Sequence, residues 1–178
     1  MGKPVQSAVN TLGLQLAKND CARFVKVFAM LSKWDERFIE LARLIATWSK
    51  DPSTKVGAVI VRPDRTVASV GFNGFARGVD DTEERLNDRA LKYPLTIHAE
   101  TNAILNAHEK LNGCTLYVTP LLPCHACAGL IIQSGISKVV AECGIVNNPN
   151  LWHSSFYIAK KQFKEAGVEI IFKNLLTT

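Results

Sequence analysis

The chain has 178 residues, 47% of them apolar and 21% charged, with a formal net charge of +5 at pH 7. That length suffices for one compact domain with a substantial core and falls short of two ordinary ones, and nothing repeated or low in complexity argues against folding. Eight Lys and Arg face four Asp and Glu in the first fifty residues, so the remainder carries only +1, which gives no clustered basic face for a nucleic-acid polymer.

Residues 1–33 read as an N-terminal extension, helical or poorly ordered. Up to Trp34 they hold five basic residues and a single acid, Asp20, a balance compatible with a transit peptide, an appended helix or an over-extended start before "MLSKWDERFIE". Residues 34–178 read as one domain. From 34 to 48, Phe38, Leu41, Ala42, Ile45 and Trp48 recur at spacings of three and four, the pattern of an amphipathic helix laid on something larger, and Pro52 stops it. "KVGAVIV" (55–61) and "TVASVGF" (66–72) are β-rich runs joined by "RPDR", which predicts an antiparallel hairpin.

Residues 73–96, with Gly74, Gly78, a cluster of charges and Pro94, predict a long loop with at most one helical turn, and loops of that length in compact domains usually serve function. A helix is expected over 97–110, with Ile104 and Leu105 buried against a sheet, then a strand over 114–119. "PCHACAGLIIQSG" has proline first and glycine last, as helices do. A strand at 137–142, a helix at 151–166 anchored by Trp152, and a strand at 168–172 complete the order. Alternating helix and strand after the hairpin implies an α/β fold with a mostly parallel sheet and helices on its faces.

Five cysteines form no disulfide-like framework, and Cys124 and Cys127 have C-x-x-C spacing, which points to a reducing compartment such as the cytoplasm and to thiols kept for metal or redox work. "GAVIV" is far too short to cross a bilayer, so no membrane span is expected. His98, Cys124 and Cys127 are the best metal ligands in the chain, since imidazole and thiolate suit zinc. Each side of the cluster lies at a predicted helix N-terminus, where the dipole favours thiolate over thiol. Three ligands imply an open position for water, the mark of catalytic zinc. Cys114, Cys143 and His125 are the candidates for a fourth. Glu100, two residues beyond His98, is then placed to take that water's proton; taken alone it would be only a first-turn acid. His108 and His153 have no visible partner.

H-x-E followed by P-C-x-x-C is the zinc deaminase signature. With "SKDPSTKVGAVIV", "GFNGFARGVDDT", "LKYPLTIHAETNAILNA" and "CTLYVTPLLPCHACAGLIIQSGI", the chain from about Trp34 to Phe172 resembles deoxycytidylate (dCMP) deaminases. The resemblance implies a three-layer α/β/α sandwich around a mixed five-stranded sheet, the cytidine deaminase-like fold. It implies His98, Cys124 and Cys127 as ligands of one Zn2+, Glu100 as proton shuttle, Asn73 as a nucleoside contact and the Ala99 backbone as a pyrimidine contact. The activity implied is hydrolysis of dCMP to dUMP and ammonia by zinc-activated water attacking C4, supplying thymidylate synthesis. Also implied are homo-oligomers, hexamers among them, and regulation by dCTP and dTTP, the regulatory nucleotide carrying Mg2+.

Where many members have "GYNGFPRG", this chain has Phe72 and Ala76 in place of tyrosine and proline, which touches regulation and not zinc chemistry. Leu122 in "LLPC" replaces an aromatic or proline at the rim. For a 5′-phosphate the candidates are Ser49, Lys50, Ser53, Thr54 and Lys55 at one helix-to-strand turn, and Arg77, Arg85 and Arg89 in or near the long loop. Two other readings share the same four zinc-site residues: a deaminase of a nucleoside, base or RNA, and a non-enzymatic zinc-stabilised interaction module.

Overall fold

The computed structural model describes residues 31–143 and 149–174, with side chains described over 31–142 and 154–172; the expectations for residues 1–30, the Trp152 anchor, His153 and the Cys143 side chain lie outside those residues. The chain opens with helix α1 (Lys33–Ala46), then strands β1 (Gly57–Val61) and β2 (Val67–Phe72). The segment expected as loop holds a short strand β3 (Gly74–Phe75), helices α2 (Glu83–Asn87) and α3 (Arg89–Leu95), and a short strand β4 (Thr96–Ile97). Helix α4 (Ala99–Asn106), β5 (Thr115–Thr119), α5 (His125–Gln133), β6 (Lys138–Cys143), α6 (Pro149–Ala166) and β7 (Glu169–Asn174) follow.

The sheet order is β2-β1-β5-β6-β7. β1 pairs antiparallel with both β2 and β5, while β5–β6 and β6–β7 are parallel. The sheet is therefore mixed, with β1 alone reversed, as right-handed strand–helix–strand crossovers after an initial hairpin require. All five residues of β1 are buried, as expected of an interior strand covered on both faces.

Alternating side chains divide two cores. On one face Phe38, Ile39, Ala42 and Ile45 of α1 cover Val59, Tyr117, Val140 and Ile171. On the other, Ala99 and Ala103 of α4, Ala128 and Ile131 of α5 and Phe163 of α6 cover Ala58, Ile60, Leu116, Val118, Val139 and Ala141. This is the expected three-layer sandwich.

Three local expectations are corrected. Trp48 lies beyond the end of α1, exposed, with its ring edge-on to Phe72 at 6.1 Å between centroids. The reason is Gly57, where a Cβ would sit 2.1 Å from the Ala42 carbonyl and 2.5 Å from the Ala46 nitrogen; the helix meets the sheet at its alanines. Leu105 is exposed and Ile104 only partly buried, because α4 likewise presents Ala99 and Ala103 to a glycine in β2. The 73–96 segment is more ordered than its Gly and Pro content implied: Thr82 and Asp88 cap α2 and α3, and Pro94 falls in the last turn of α3, where its missing N–H and ring disturb little of the helix.

Ser32 and Asp35 form a capping box at the start of α1, and the Tyr117 hydroxyl donates to Asp35 Oδ1 at 2.8 Å. Burial opposes ionisation of Asp35 more than any other single influence, but the bonds from Ser32 and Tyr117, with nearby Lys138, outweigh it and hold the carboxyl below its usual range. Such a group stabilises the fold fully above the ordinary carboxylate range and loses that contribution as pH falls through the depressed folded value. Asp35→Ala should cost about 2–3 kcal/mol at neutral pH, through the lost cap and the stranded phenol. Urea unfolding across the acid range should show the gap from the natural protein closing as pH drops. At Gly71 an added Cβ would meet the Ala103 nitrogen at 2.3 Å and the Ala99 carbonyl at 2.4 Å, both backbone. Gly71→Ala should therefore destabilise by roughly 1–3 kcal/mol and displace the start of α4, read by thermal melts alongside metal content.

Candidate functional site

Two helix N-termini meet on the side of the sheet covered by α4 and α5. α4 is held to β2 by more than apolar contact: Ser69 Oγ donates to the Ala103 carbonyl at 2.7 Å, Asn102 Nδ2 to the Phe72 carbonyl at 2.8 Å and Asn106 Nδ2 to the Val70 carbonyl at 3.1 Å. Asn102 thus serves the scaffold. These ties fix the first turn of α4, which carries His98, Ala99 and Glu100.

His98 is the N-cap residue of α4 and Cys124 that of α5. His98 makes no side-chain cap; its ring turns to the cysteines, with Nδ1 3.5 Å from Cys124 Sγ and 3.3 Å from Cys127 Sγ. The three donor atoms lie within 4.8 Å of one another. One imidazole nitrogen and two sulfurs converging from two helix starts suit a tetrahedral, borderline-soft ion such as zinc. Among the described residues no fourth His, Cys, Asp or Glu joins the group. Of the expected fourth donors, Cys114 is buried in the core at the start of β5, and His125 is exposed with Nδ1 2.8 Å from Ser155 Oγ.

The bond from Cys127 and the contact with His98 hold the Cys124 thiol below its usual range, while the same Cys124 interaction and burial raise Cys127. The bond with Cys124 also raises His98. Glu100 is 4% exposed, and burial pushes its carboxyl up to about 7. A carboxyl tuned there can both take and give a proton near neutrality.

A cleft of about 190 Å³ opens beside these groups, its wall including His98, Ala99, Glu100, Cys124, Leu122 and Asn73. Asn73 is 6% exposed. Its Oδ1 accepts from the Val56 N–H at 2.8 Å, and its Nδ2 donates to the Thr54 carbonyl at 2.9 Å. It therefore ties the 49–56 loop to the end of β2 while facing the cleft.

The phosphate candidates separate sharply. Ser53 and Thr54 line the cleft. Ser49 does not: it is buried with its hydroxyl donating to the Asn73 carbonyl at 2.8 Å. Lys50 pairs with Asp81 at 2.8 Å on the wall of a second cavity, Arg77 bonds Asn106 Oδ1 on the exposed surface, and Arg85 bonds the Asp80 carbonyl. Lys55 and Arg89 are also absent from the cleft wall. Sequence reasoning missed Asp51, Lys92, Tyr93, Thr96 and Phe156, all on that wall. Asp51 and Lys92 stood within the quoted "SKDPST" and "LKYP", but only folding shows that 41 residues of separation close to a 3.1 Å ion pair.

The model of the cytidine and deoxycytidylate deaminase zinc-binding region matches residues 32–143. An Aliivibrio fischeri protein described as an uncharacterized deaminase is 47% identical over 141 residues, 79% of this chain and 94% of that protein. Human deoxycytidylate deaminase is 42% identical over 116 residues, and the match covers 61% of this chain and 64% of the human one. The dCMP deaminase of cyanophage S-TIM5, solved with dCMP and dUMP, shares the fold at a TM-score of 0.63 and 24% identity, over 81% of this chain and 99% of that one.

The donor set leads to a measurable expectation. Purified protein should bind about one zinc per chain, and His98→Ala or Cys124→Ala should weaken that binding by orders of magnitude in a chelator competition while the far-ultraviolet spectrum stays native.

Proposed function

The chain belongs to the cytidine and deoxycytidylate deaminase zinc-binding family, and from that premise we propose that it hydrolyses dCMP to dUMP and ammonia. The observation that carries the reading is the convergence of His98, Cys124 and Cys127 beside a buried Glu100 on the wall of one cleft. The human and cyanophage relatives are named as deaminases of that nucleotide. In this reading the catalytic domain runs over 34–178, preceded by an extension over 1–33.

His98, Cys124 and Cys127 would hold the Zn2+, which when bound supplies Lewis acidity that lowers the pKa of water toward neutrality. The chain's own groups do the rest. The ring enters with C4 toward the cluster and its edge against the backbone of Ala99 at the start of α4, where N–H groups are free of helical partners. Glu100 takes a proton from the attacking water and delivers it to N3. As the C4–O bond forms and the C4–N bond then breaks, Glu100 carries a second proton from the new C4 hydroxyl to the amino group, which leaves as ammonia while the carbonyl forms. Burial suits it to this: a carboxyl near neutrality loses little in either direction of transfer. Asn73 and Leu122 also line the cleft, Asn73 while fixing the 49–56 loop.

Family kinship extends the reading to thymidylate supply, a cytoplasmic setting, a homo-oligomer of up to six chains, and control by dCTP and dTTP with Mg2+. No helix among the described residues is long and apolar enough to cross a membrane.

Ammonia release from a panel of dCMP, deoxycytidine, cytosine and an RNA hairpin, with and without dCTP or dTTP, tests substrate and regulation together. The expected result is dCMP turnover well above the others; deamination of the RNA or the base alone would overturn the reading. Glu100→Gln should keep zinc and lose turnover by several orders of magnitude, whereas a non-enzymatic zinc module would be indifferent to it.

A further inference from the structure

Helix α3 is built the wrong way round for a helix that only packs. Its buried residue is Lys92, 3% exposed, while Leu91 and Tyr93 on either side stand about half exposed. A leucine at 92 would fill the same volume without removing an ammonium from water, and a buried ion pair is a poor source of net stability compared with apolar packing. A lysine turned inward is therefore better explained by what it faces. It faces the cleft, and among the described residues it is the one Lys or Arg on the cleft wall.

Its surroundings leave it able to exchange partners. Nζ donates to Asp51 Oδ1 at 3.1 Å and to Ser53 Oγ at 2.8 Å, two bonds for a group with three donors. Asp51 does not depend on Lys92, because Oδ1 also accepts the N–H groups of Ser53 at 2.7 Å and Thr54 at 3.2 Å. The carboxylate keeps the 49–56 loop in place whether or not the ammonium is shared with another anion. Ser53 is exposed, so its hydroxyl is accessible from the cleft mouth.

Resting on the reading of the chain as a dCMP deaminase, we propose that Lys92 Nζ and Ser53 Oγ seat the 5′-phosphate of the substrate. Lys92 turns part of its charge from Asp51 to the dianion, and Ser53 donates to a phosphate oxygen. Discrimination between a nucleotide and its nucleoside then resides in a residue of α3 and not in Lys50 or Arg77, whose partners hold them outside the cleft.

The test compares dCMP with deoxycytidine in the zinc-loaded protein. Lys92→Met should lower the ratio of kcat/KM for dCMP to that for deoxycytidine on the order of 100-fold, through KM for dCMP, as loss of a charge-assisted contact to phosphate does. Inhibition by inorganic phosphate should weaken in parallel, and Lys92→Arg should restore most of both. Should the uncompensated Asp51 prevent folding, the charge-balanced double variant Asp51→Asn with Lys92→Met gives the same ratio to read. An unchanged ratio in a folded variant, with both substrates losing kcat equally, overturns the phosphate seat and leaves Lys92 a structural ion-pair partner. A natural protein that deaminates deoxycytidine and not dCMP overturns the substrate reading itself, before any variant is made.

Discussion

The site depends on how closely one helix can approach one strand. At Gly71 the backbone of α4 occupies the space in which any Cβ would stand, and Ala99 and Ala103 present the smallest possible surface to it. Helix and sheet therefore pack at backbone distance, where a shift of a few tenths of an ångström is resisted by hard contact and by the Ser69, Asn102 and Asn106 bonds. His98, Ala99 and Glu100 belong to the first turn of that helix, so the precision of the contact is inherited by the chemistry. Gly57 does the same for α1 on the opposite face, and the sheet is clamped from both sides by alanine against glycine.

The cluster of His98, Cys124 and Cys127 beside Glu100 was legible because its signal is local: H-x-E and C-x-x-C mark two helix starts, which fall at Ala99 and His125, two residues after the expected 97 and Pro123. The strand order was legible as far as alternation reaches. The cleft wall was not, because Lys92 and Asp51 acquire meaning only through tertiary contact, and because a buried lysine has the same sequence signature as a solvated one. Gly and Pro in 73–96 were read as loop punctuation, although Thr82 and Asp88 are ordinary helix caps. Of the close-packed alanines only Ala42 was included, for a related reason. Hydrophobic periodicity favours large side chains, so Leu105 and Trp48 were given burial that Ala103 and Ala46 take.

The 49–56 loop is held almost wholly by polar bonds. Asp51 binds its own loop N–H groups, Asn73 reaches in from the end of β2, and Ser49 closes the circle on the Asn73 carbonyl. Such a network is expensive to leave half-made, and fully made it gives one conformation. Ser53 and Thr54, which line the cleft, are carried on that loop and share its single conformation.

The capping box at the head of α1 sets a boundary as well as a helix. Ser32 and Asp35 close the first turn, and Tyr117 links that turn to the middle of β5, so the head of the helix is tied to the sheet through its cap. Of the described residues, a cut or fusion made just before Ser32 removes only Leu31 from the edge of that core and keeps the cap. One made two residues later removes the cap oxygen from a helix whose acid is already committed to the sheet. Loss of that one serine oxygen is therefore felt in the middle of the sheet as well as at the end of the helix.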